Sequence, residues 1–254
     1  MKERYINVGT TKMEGKQMFK GLDATVPARD VSRRINRGTR CYVFPSSKEP
    51  GVMHSFESRE EYKRGLLLDL DPRVESFRDQ PWTMDLETAE IRARRADFGK
   101  TQGRRGWYYT PDSECRMGQS APRIIEVKGM HSDDEKYLRA GELLKQHGYE
   151  FLLLTGQKIT DALIRNVSCL QRTRAEHFQH ALPALLKELK NLATLHDAWA
   201  FEELAAANSF GIFGVYVGLA NGIFSADLSV DLIPTNSIVR SAYGDLTHLH
   251  LGFL

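Results

Sequence analysis

The stretch Arg123–Met130, RIIEVKGM, constrains the fold of this chain more than any other. Its β-branched residues favour a strand in the interior of a sheet. Side chains alternate along a strand, so Glu126 and Lys128 lie on one face while Ile125 and Val127 lie on the other. An acid and a base are costly to bury unless each has a partner, a metal or a substrate. The sequence therefore predicts a central strand that carries either a structural ion pair or half of an active site.

The segments around this strand predict an α/β domain with a mixed sheet and helices on its faces. A helix is expected after Ser58, a good N-cap, and before Pro72. An amphipathic helix is expected to open with a capping box of Ser132 and Glu135 and to close at Gly148. Further strands are predicted within residues 74–81, 82–87, 90–100 and 149–156, with a hairpin excursion over 103–111.

The character of the sequence changes near Thr160, and the domain boundaries follow from this change. Four helical segments are predicted within residues 161–222, followed by an alternating hairpin over 223–234. Helices followed by a two-stranded ribbon predict a mainly helical, winged-helix-like domain. The predicted division is residues 1–50 as an N-terminal arm or wrap, 51–160 as the α/β domain and 161–254 as the C-terminal domain.

The distribution of charge points to a phosphate backbone as partner. The formal net charge is only +2, but arginines cluster in two segments of the first half. One cluster alone is better explained as a solvated surface; two clusters that flank acidic residues favour nucleic acid. The residues predicted to contact DNA are Arg33, Arg34, Arg37, Arg94, Arg95, Arg104 and Arg105.

Three cysteines, Cys41, Cys115 and Cys169, lie far apart in the sequence. Their odd number and their spacing argue against a disulfide framework and fit a reducing cytosol. The sequence has no signal-peptide pattern and no apolar run long enough to cross a bilayer. We therefore expect a cytoplasmic protein without a membrane partner.

Three acidic segments fit phosphodiester hydrolysis by a divalent metal. Such chemistry needs oxygen ligands that converge on an ion, which polarises the phosphate and activates water. Glu61 lies on the first predicted helix, Asp97 on the strand RARRADF, and Glu126 with Lys128 on the next main strand. The order of these residues along the chain is what indicates a site, because an acid two residues before a lysine also occurs by chance in many proteins.

Each acidic residue also has a structural explanation. Glu61 stands three residues after Ser58, so taken alone it is better explained by a capping box. Asp97 follows several arginines and is explained equally by charge neutralisation. Asp112 and Glu114, in the long insert before Glu126, are rivals for the role of Asp97, and their turn-rich surroundings make them the weaker candidates.

The ordered set resembles the PD-(D/E)xK nuclease core, a restriction-endonuclease-like fold. More narrowly, FESREEYKRGLLLDLDPRVESFRDQP, followed by RRADF and IIEVKG, resembles the TnsA family, the endonuclease subunit of heteromeric transposases. The likeness covers about residues 29–156, with a weaker likeness to the family's winged-helix C-terminal domain.

This resemblance implies a metal-dependent DNA endonuclease. It implies that Glu61, Asp97 and Glu126 bind Mg²⁺, which Mn²⁺ can replace, that the carbonyl of Val127 adds a ligand, and that Lys128 stabilises the water or phosphate. It also implies cleavage of the 5′, non-transferred strand of double-stranded transposon ends in cut-and-paste transposition. The implied partners are a TnsB-like transposase and a TnsC-like ATPase, and the implied place of action is the nucleoid.

Two other functions compete with this one. The first is a PD-(D/E)xK nuclease of a defence or repair system. The second is a DNA-binding assembly factor whose nuclease fold is catalytically silent. The acidic set argues against the silent factor, and the surrounding motif context argues against the defence or repair nuclease.

Overall fold

The computed structural model describes most of the chain after Arg40. The residues described are 41–49, 51–99, 106–128, 134–155, 159–174, 180–232 and 237–251. Most of the expected N-terminal arm, the capping box at Ser132, and the predicted DNA contacts Arg33, Arg34, Arg37, Arg104 and Arg105 lie outside these residues.

The chain forms an α/β protein that divides into two compact units. The first consists of residues up to Gly65 together with Val74–Gln157, and the second of Leu66–Arg73 together with Lys158–Leu254. The sequence predicted one cut after residue 160, whereas the structure also assigns the end of the first helix to the second unit. Sequence patterns could not show this assignment, since it depends on which residues the helix end contacts.

The first unit contains nine strands and two helices among the residues described. The strands are β1 Tyr42–Pro45, β2 Met53–Phe56, β3 Ser76–Asp79, β4 Thr83–Asp85, β5 Ile91–Arg92, β6 Tyr108–Tyr109, β7 Ser113–Arg116, β8 Arg123–Lys128 and β9 Glu150–Thr155. The helices are α1 Arg59–Leu70, which extends into the second unit, and α2 Asp134–Gln146. The predicted helices at both places and the strands at β3, β4, β8 and β9 are confirmed.

The main sheet of this unit has the order β3-β7-β8-β9. β8 is a central strand, as predicted, paired antiparallel to β7 and parallel to β9. Parallel neighbours need a crossover connection, and α2 supplies it between β8 and β9. A smaller sheet has the order β5-β4-β6. The apolar core that includes Trp82, Tyr109 and Ile124 joins residues of both sheets with the buried face of α2.

The hairpin of β1 and β2 corrects the expectation of an irregular arm up to residue 50. Phe44 is buried and stacks on Phe56 with their ring centroids 5.7 Å apart. Phe56 in turn lies against Gly65 of α1, where an added Cβ would come within 2.3 Å of the ring. Glycine at this position therefore lets α1 approach β2 closely. The hairpin also contacts β3, since His54 Nδ1 lies 2.6 Å from Asp79 Oδ1.

Among the residues described, the second unit contains four further α-helices and a small antiparallel sheet. The helices are α3 Asp161–Arg172, α4 Leu182–Leu195, α5 Phe201–Ala207 and α6 Gly211–Ala220, and the strands are β10 Ala198–Ala200, β11 Phe224–Ser225 and β12 Ile238–Ser241. The sheet order is β10-β12-β11. The expected hairpin within residues 223–234 is wrong in its second strand, because β11 pairs with the later strand β12.

The buried Asn166 of this second unit is satisfied by hydrogen bonds within the unit's own core. Asn166 donates from Nδ2 to the carbonyls of Leu228 and Val230, at 3.0 and 2.7 Å, and accepts from the hydroxyl of Tyr216.

No single helix among the described residues combines the length and apolar character needed to cross a membrane. Only α5 and α6 taken together, with a bend of 107° between them, meet those two criteria.

Candidate active site

Glu61 lies in the first turn of α1 and takes part in its N-terminal cap. Its backbone N–H donates to Ser58 Oγ at 3.1 Å, so the predicted cap by Ser58 is confirmed. Its Oε2 accepts from the backbone N–H of Glu57 at 3.4 Å. Burial raises the pKa of Glu61 above its usual value, although a hydrogen bond from Ser58 and the charge of Lys128 each lower that pKa. Glu61 is thus a capping residue that also lies within electrostatic range of Lys128 on β8 and of Asp112.

Glu126 is almost fully buried on the central strand, with 2 % of its surface exposed. Two protein donors reach its Oε2: the hydroxyl of Tyr109 at 3.0 Å and the backbone N–H of Asp112 at 3.3 Å. Lys128 Nζ lies 2.7 Å from the other oxygen, Oε1. The ion pair that the sequence allowed is therefore present, and it forms part of a larger polar cluster.

Asp112 belongs to this cluster, at the point where the chain enters β7. Its Oδ2 accepts from the backbone N–H of Val127 at 2.8 Å. Burial raises the pKa of Asp112 well above its usual range, and the nearby charges of Glu126 and Glu61 raise it further. Three carboxylates thus interact at one place in the first unit, contributed by a helix, a strand and the start of another strand.

Lys128 is the basic member of the cluster. Burial lowers the pKa of its ammonium group, but the carboxylates of Asp112 and Glu126 outweigh burial and raise that pKa overall. Its Nζ also lies over the ring of Tyr137, 5.3 Å from the centroid. The side chain is 29 % exposed. Lys128 is therefore a charged, partly accessible cation held between acidic groups and an aromatic face.

Asp97 does not lie on a strand, and the structure does not bring it to Glu126. The strand predicted over residues 90–100 ends at Arg92 and is followed by a 3-10 helix over Arg95–Phe98. Asp97 is exposed and accepts from the backbone N–H of Arg94 at 2.9 Å, which closes this short turn. Among the described residues, the polar partners of Asp97 are Arg92 and Arg94. The local charge neutralisation considered from the sequence is thus what the structure contains.

The sequence did carry a signal for Asp112. Pro111 and Asp112 form a Pro-Asp pair ahead of Glu126-Val127-Lys128, the arrangement after which the PD-(D/E)xK core is named. The turn-rich insert does not predict strand β7, so the sequence alone favours Asp97 over Asp112. The pairing of Ser113 with Ile125 is what places Asp112 beside the end of β8.

Glu114, the second rival for the role of Asp97, has a different environment. It is 3 % exposed and accepts from Arg78 at 2.9 Å and from the indole N–H of Trp82 at 3.0 Å. Both oxygens thus have partners that stabilise the junction of β3, β7 and the core. Glu114 is a structural residue rather than a member of the acidic cluster.

Two of the predicted DNA contacts can be located. Arg94 and Arg95 are both exposed in the first unit. The guanidinium of Arg95 lies over the ring of Tyr108, 5.2 Å from its centroid, and Arg94 Nε lies 3.9 Å from Asp97 Oδ1. Both side chains are accessible to a phosphate, and their contact with DNA stays a prediction.

The donors of the cluster fit a hard divalent cation by chemistry. In the described part of the chain, no three His, Cys, Asp or Glu side chains stand in an arrangement that could hold a metal ion. Carboxylates are nevertheless the ligands that Mg²⁺ prefers. Burial, and after it the charges of Glu126 and Glu61, raise the pKa of Asp112. The side chains thus have the chemistry that Mg²⁺ prefers, but the described residues do not form a metal site as they are placed, and the Lys128 ammonium is paired with Oε1 of Glu126.

The assignment of this site rests on its geometry. Hydrogen bonds and an ion pair join Asp112, Glu126 and Lys128, and Glu61 interacts with Asp112 and Lys128 through charge alone. Comparisons with known proteins add no family to this description. No family model matches the sequence, and no curated protein matches it.

Proposed function

We propose that this protein is a Mg²⁺-dependent DNA endonuclease similar to the TnsA family, which cuts the 5′, non-transferred strand at transposon ends. One observation carries the proposal: Asp112 and Lys128 both contact the buried Glu126, and Glu61 lies within electrostatic range of them. Helix α1 contributes Glu61, the residue before β7 is Asp112, and β8 contributes Glu126 and Lys128. Such nucleases use this combination of acids with a lysine two residues after the last acid. Asp112 takes the role first assigned to Asp97.

Metal binding by the carboxylates of Glu61, Asp112 and Glu126 and the carbonyl of Val127 would require these groups to converge more closely than the described residues do. When bound, Mg²⁺ polarises the scissile phosphate and lowers the pKa of a water molecule, and Mn²⁺ supplies the same chemistry. Lys128 stays protonated and orients the attacking water or a phosphate oxygen. Asp112 contributes twice, since its backbone N–H also holds Oε2 of Glu126.

The finer fold assignments belong to this proposal. A restriction-endonuclease-like core is supported by the sheet order β3-β7-β8-β9, with α1 before it and α2 connecting its parallel pair. A winged-helix-like second unit is supported by the order α4, β10, α5, α6, β11, β12 and by a small antiparallel sheet with β12 in its centre. We propose that this unit serves protein contacts with a TnsB-like transposase or a TnsC-like ATPase.

Strand-specific nick mapping tests the function. The full-length protein is mixed with a TnsB-like transposase, transposon-end DNA and Mg²⁺, and both strands are sequenced for breaks. We expect 5′-strand nicks that need Mg²⁺ or Mn²⁺ and that disappear in Glu126→Gln. Glu75→Gln, at an exposed position of the same unit, is the matched control and should cut normally. Nicks that persist in Glu126→Gln would remove the site from the mechanism.

One observation favours a second function, that of a catalytically silent DNA-binding assembly factor. Both oxygens of Glu126 already have protein partners, and Lys128 neutralises the carboxylate. A silent factor predicts retained end-DNA binding with no nick on either strand, with or without the transposase. The same nick mapping therefore separates the two functions.

A further inference from the structure

We propose that strand β9 and the exposed side of helix α2 form an interface with a second copy of this chain. The inference does not depend on the proposed function. β9 is the last strand of the main sheet, in the order β3-β7-β8-β9. Among the described residues it pairs with β8 on one side, and no strand lies on its other side. The outer edge of β9 is therefore available to another strand.

The two edges of the main sheet differ. At the β3 edge, the hairpin of β1 and β2 covers the strand end, and Asp79 accepts from the backbone N–H of Ser55 at 3.0 Å. β9 lacks the residues by which proteins usually protect an edge, since its sequence, EFLLLT, holds no proline or lysine. Its one charged residue, Glu150, pairs with Arg123 of the neighbouring β8. An apolar edge of this kind favours association with another chain.

An apolar groove continues this edge between β9 and α2. It has a volume of about 800 Å³, and the residues that line it include Leu138, Gly141 and Lys145 of α2 and Phe151 and Leu153 of β9. Leu138 is 70 % exposed at its margin. An exposed leucine beside an apolar groove and an open strand edge forms one continuous surface that a partner would bury.

The exposed side of α2 complements itself in charge. Glu135, Leu138 and Lys145 follow each other at intervals of three and seven residues, so they share one face of the helix, and all three are exposed. The acid and the base are about 15 Å apart along the axis. In an antiparallel arrangement about a two-fold axis, Glu135 of each copy meets Lys145 of the other. This complementarity favours a second copy over a partner of a single charge, such as DNA.

The same two-fold axis suits the two β9 strands. Phe151 and Leu153 line the groove together, and residues opposite each other in an antiparallel pair point to the same face. An axis at Leu152 therefore places Phe151 of each copy opposite Leu153 of the other. The two four-stranded sheets would then form one continuous sheet, with the two α2 helices side by side on one face.

Sedimentation velocity of the full-length protein, from about 1 to about 100 µM, measures this association. We expect a dimer that dissociates on dilution. Leu138→Glu should weaken dimerisation roughly 100-fold, because the axis brings two buried charges together. Leu195→Glu is the matched control: Leu195, in α4 of the second unit, is 64 % exposed, and this variant should dimerise like the wild type.

A charge exchange tests whether the partner is a second copy. Glu135→Lys and Lys145→Glu should each weaken the dimer about tenfold, because like charges then face each other across the interface. The double variant, Glu135→Lys with Lys145→Glu, restores opposite charges and should dimerise like the wild type. A role of either residue within its own chain does not predict this rescue.

Three results would overturn the inference. One is a wild type that stays monomeric at about 100 µM, including a monomer whose β9 amides another segment of the chain protects from hydrogen exchange. Another is a dimer that Leu138→Glu leaves unchanged, since its interface would lie elsewhere. The third is a double variant no better than the single ones. If Leu138→Glu alters the circular dichroism spectrum, the charge exchange alone decides.

Discussion

Two short segments of the first unit each offer an aspartate, and their environments differ. In the segment Arg92–Phe98, Asp97 is exposed and closes its own turn with Arg94. In the segment Pro111–Glu114, Asp112 is half-buried and contacts the central strand through Val127 and Glu126. The order of acids along the chain fits either aspartate. The difference teaches that the neighbours across the sheet, and not the place in the sequence, decide which acid belongs to the site.

The largest effect that would test this contrast is on catalysis. Asp112→Asn should slow nicking by about 100-fold or more, because a metal ligand controls several kcal/mol of transition-state stabilisation and each ~1.4 kcal/mol is tenfold in rate. Asp97→Asn, the matched change in the other segment, should stay within about twofold. Single-turnover nicking rates measure both, and a reversed ranking would return the catalytic role to Asp97.

The next effect sharpens the contrast within the second segment, between Asp112 and Glu114. Glu114→Gln should lower the free energy of unfolding by about 2 kcal/mol, because it weakens buried bonds from Arg78 and Trp82. Its nicking rate, measured well below the midpoint of unfolding, should equal that of the wild type. Urea denaturation gives the stability change. A stable but inactive Glu114→Gln would place Glu114 in the catalytic machinery.

A smaller effect concerns stability and pH at Asp112. Burial, with the charges of Glu126 and Glu61, raises the folded-state pKa of Asp112 above its unfolded value. The stability from this group is thus complete below the unfolded pKa, near 4, and is lost as the pH rises through the folded pKa. The free energy of unfolding of Asp112→Asn should therefore be about 1 kcal/mol higher than that of the wild type at pH 7–8.

Measuring the free energy of unfolding of both proteins at several pH values checks the direction of this effect. The advantage of Asp112→Asn should shrink toward zero as the pH falls below about 4, where the aspartate becomes protonated in the unfolded state as well. Comparing the two proteins at each pH removes the contributions of the histidines that they share. Asp97→Asn should show no such difference. An Asp112→Asn variant that is less stable than the wild type at neutral pH would contradict the conclusion that burial and the charges of Glu126 and Glu61 destabilise the ionised Asp112.

The smallest effect concerns the arginines of the first segment. Replacing Arg94 and Arg95 with alanine should change the free energy of unfolding by less than about 0.5 kcal/mol, since both are exposed. If each contacts a phosphate, the slope of log affinity for end DNA against log salt should fall by about 0.9 per residue. Arg240→Ala, at an exposed position of β12, is the control. An unchanged slope would leave this segment without a role in DNA binding.

Much of the fold could be predicted because local signals were strong. Residues 58–71 carry a cap and a following proline, and α1 forms there. The β-branched run of β8 specified a central strand. The run of residues 90–100 alternated like a strand as well, yet Asp97 and Arg94 close a turn within it. A local side-chain bond to the backbone outweighed the alternating pattern there.

The sequence by itself determined the chemical types of the candidate site: acids, a lysine two residues after one of them, and a central strand to bury them. Only the tertiary structure decided which aspartate joins Glu126 and that Tyr109 donates a hydrogen bond to one of its oxygens. The physical reason is that strand pairing sets these contacts. β7 opposite β8 places Asp112, and β6 beside β4 places Tyr109. Such pairings between distant residues leave no periodic signal in either strand alone.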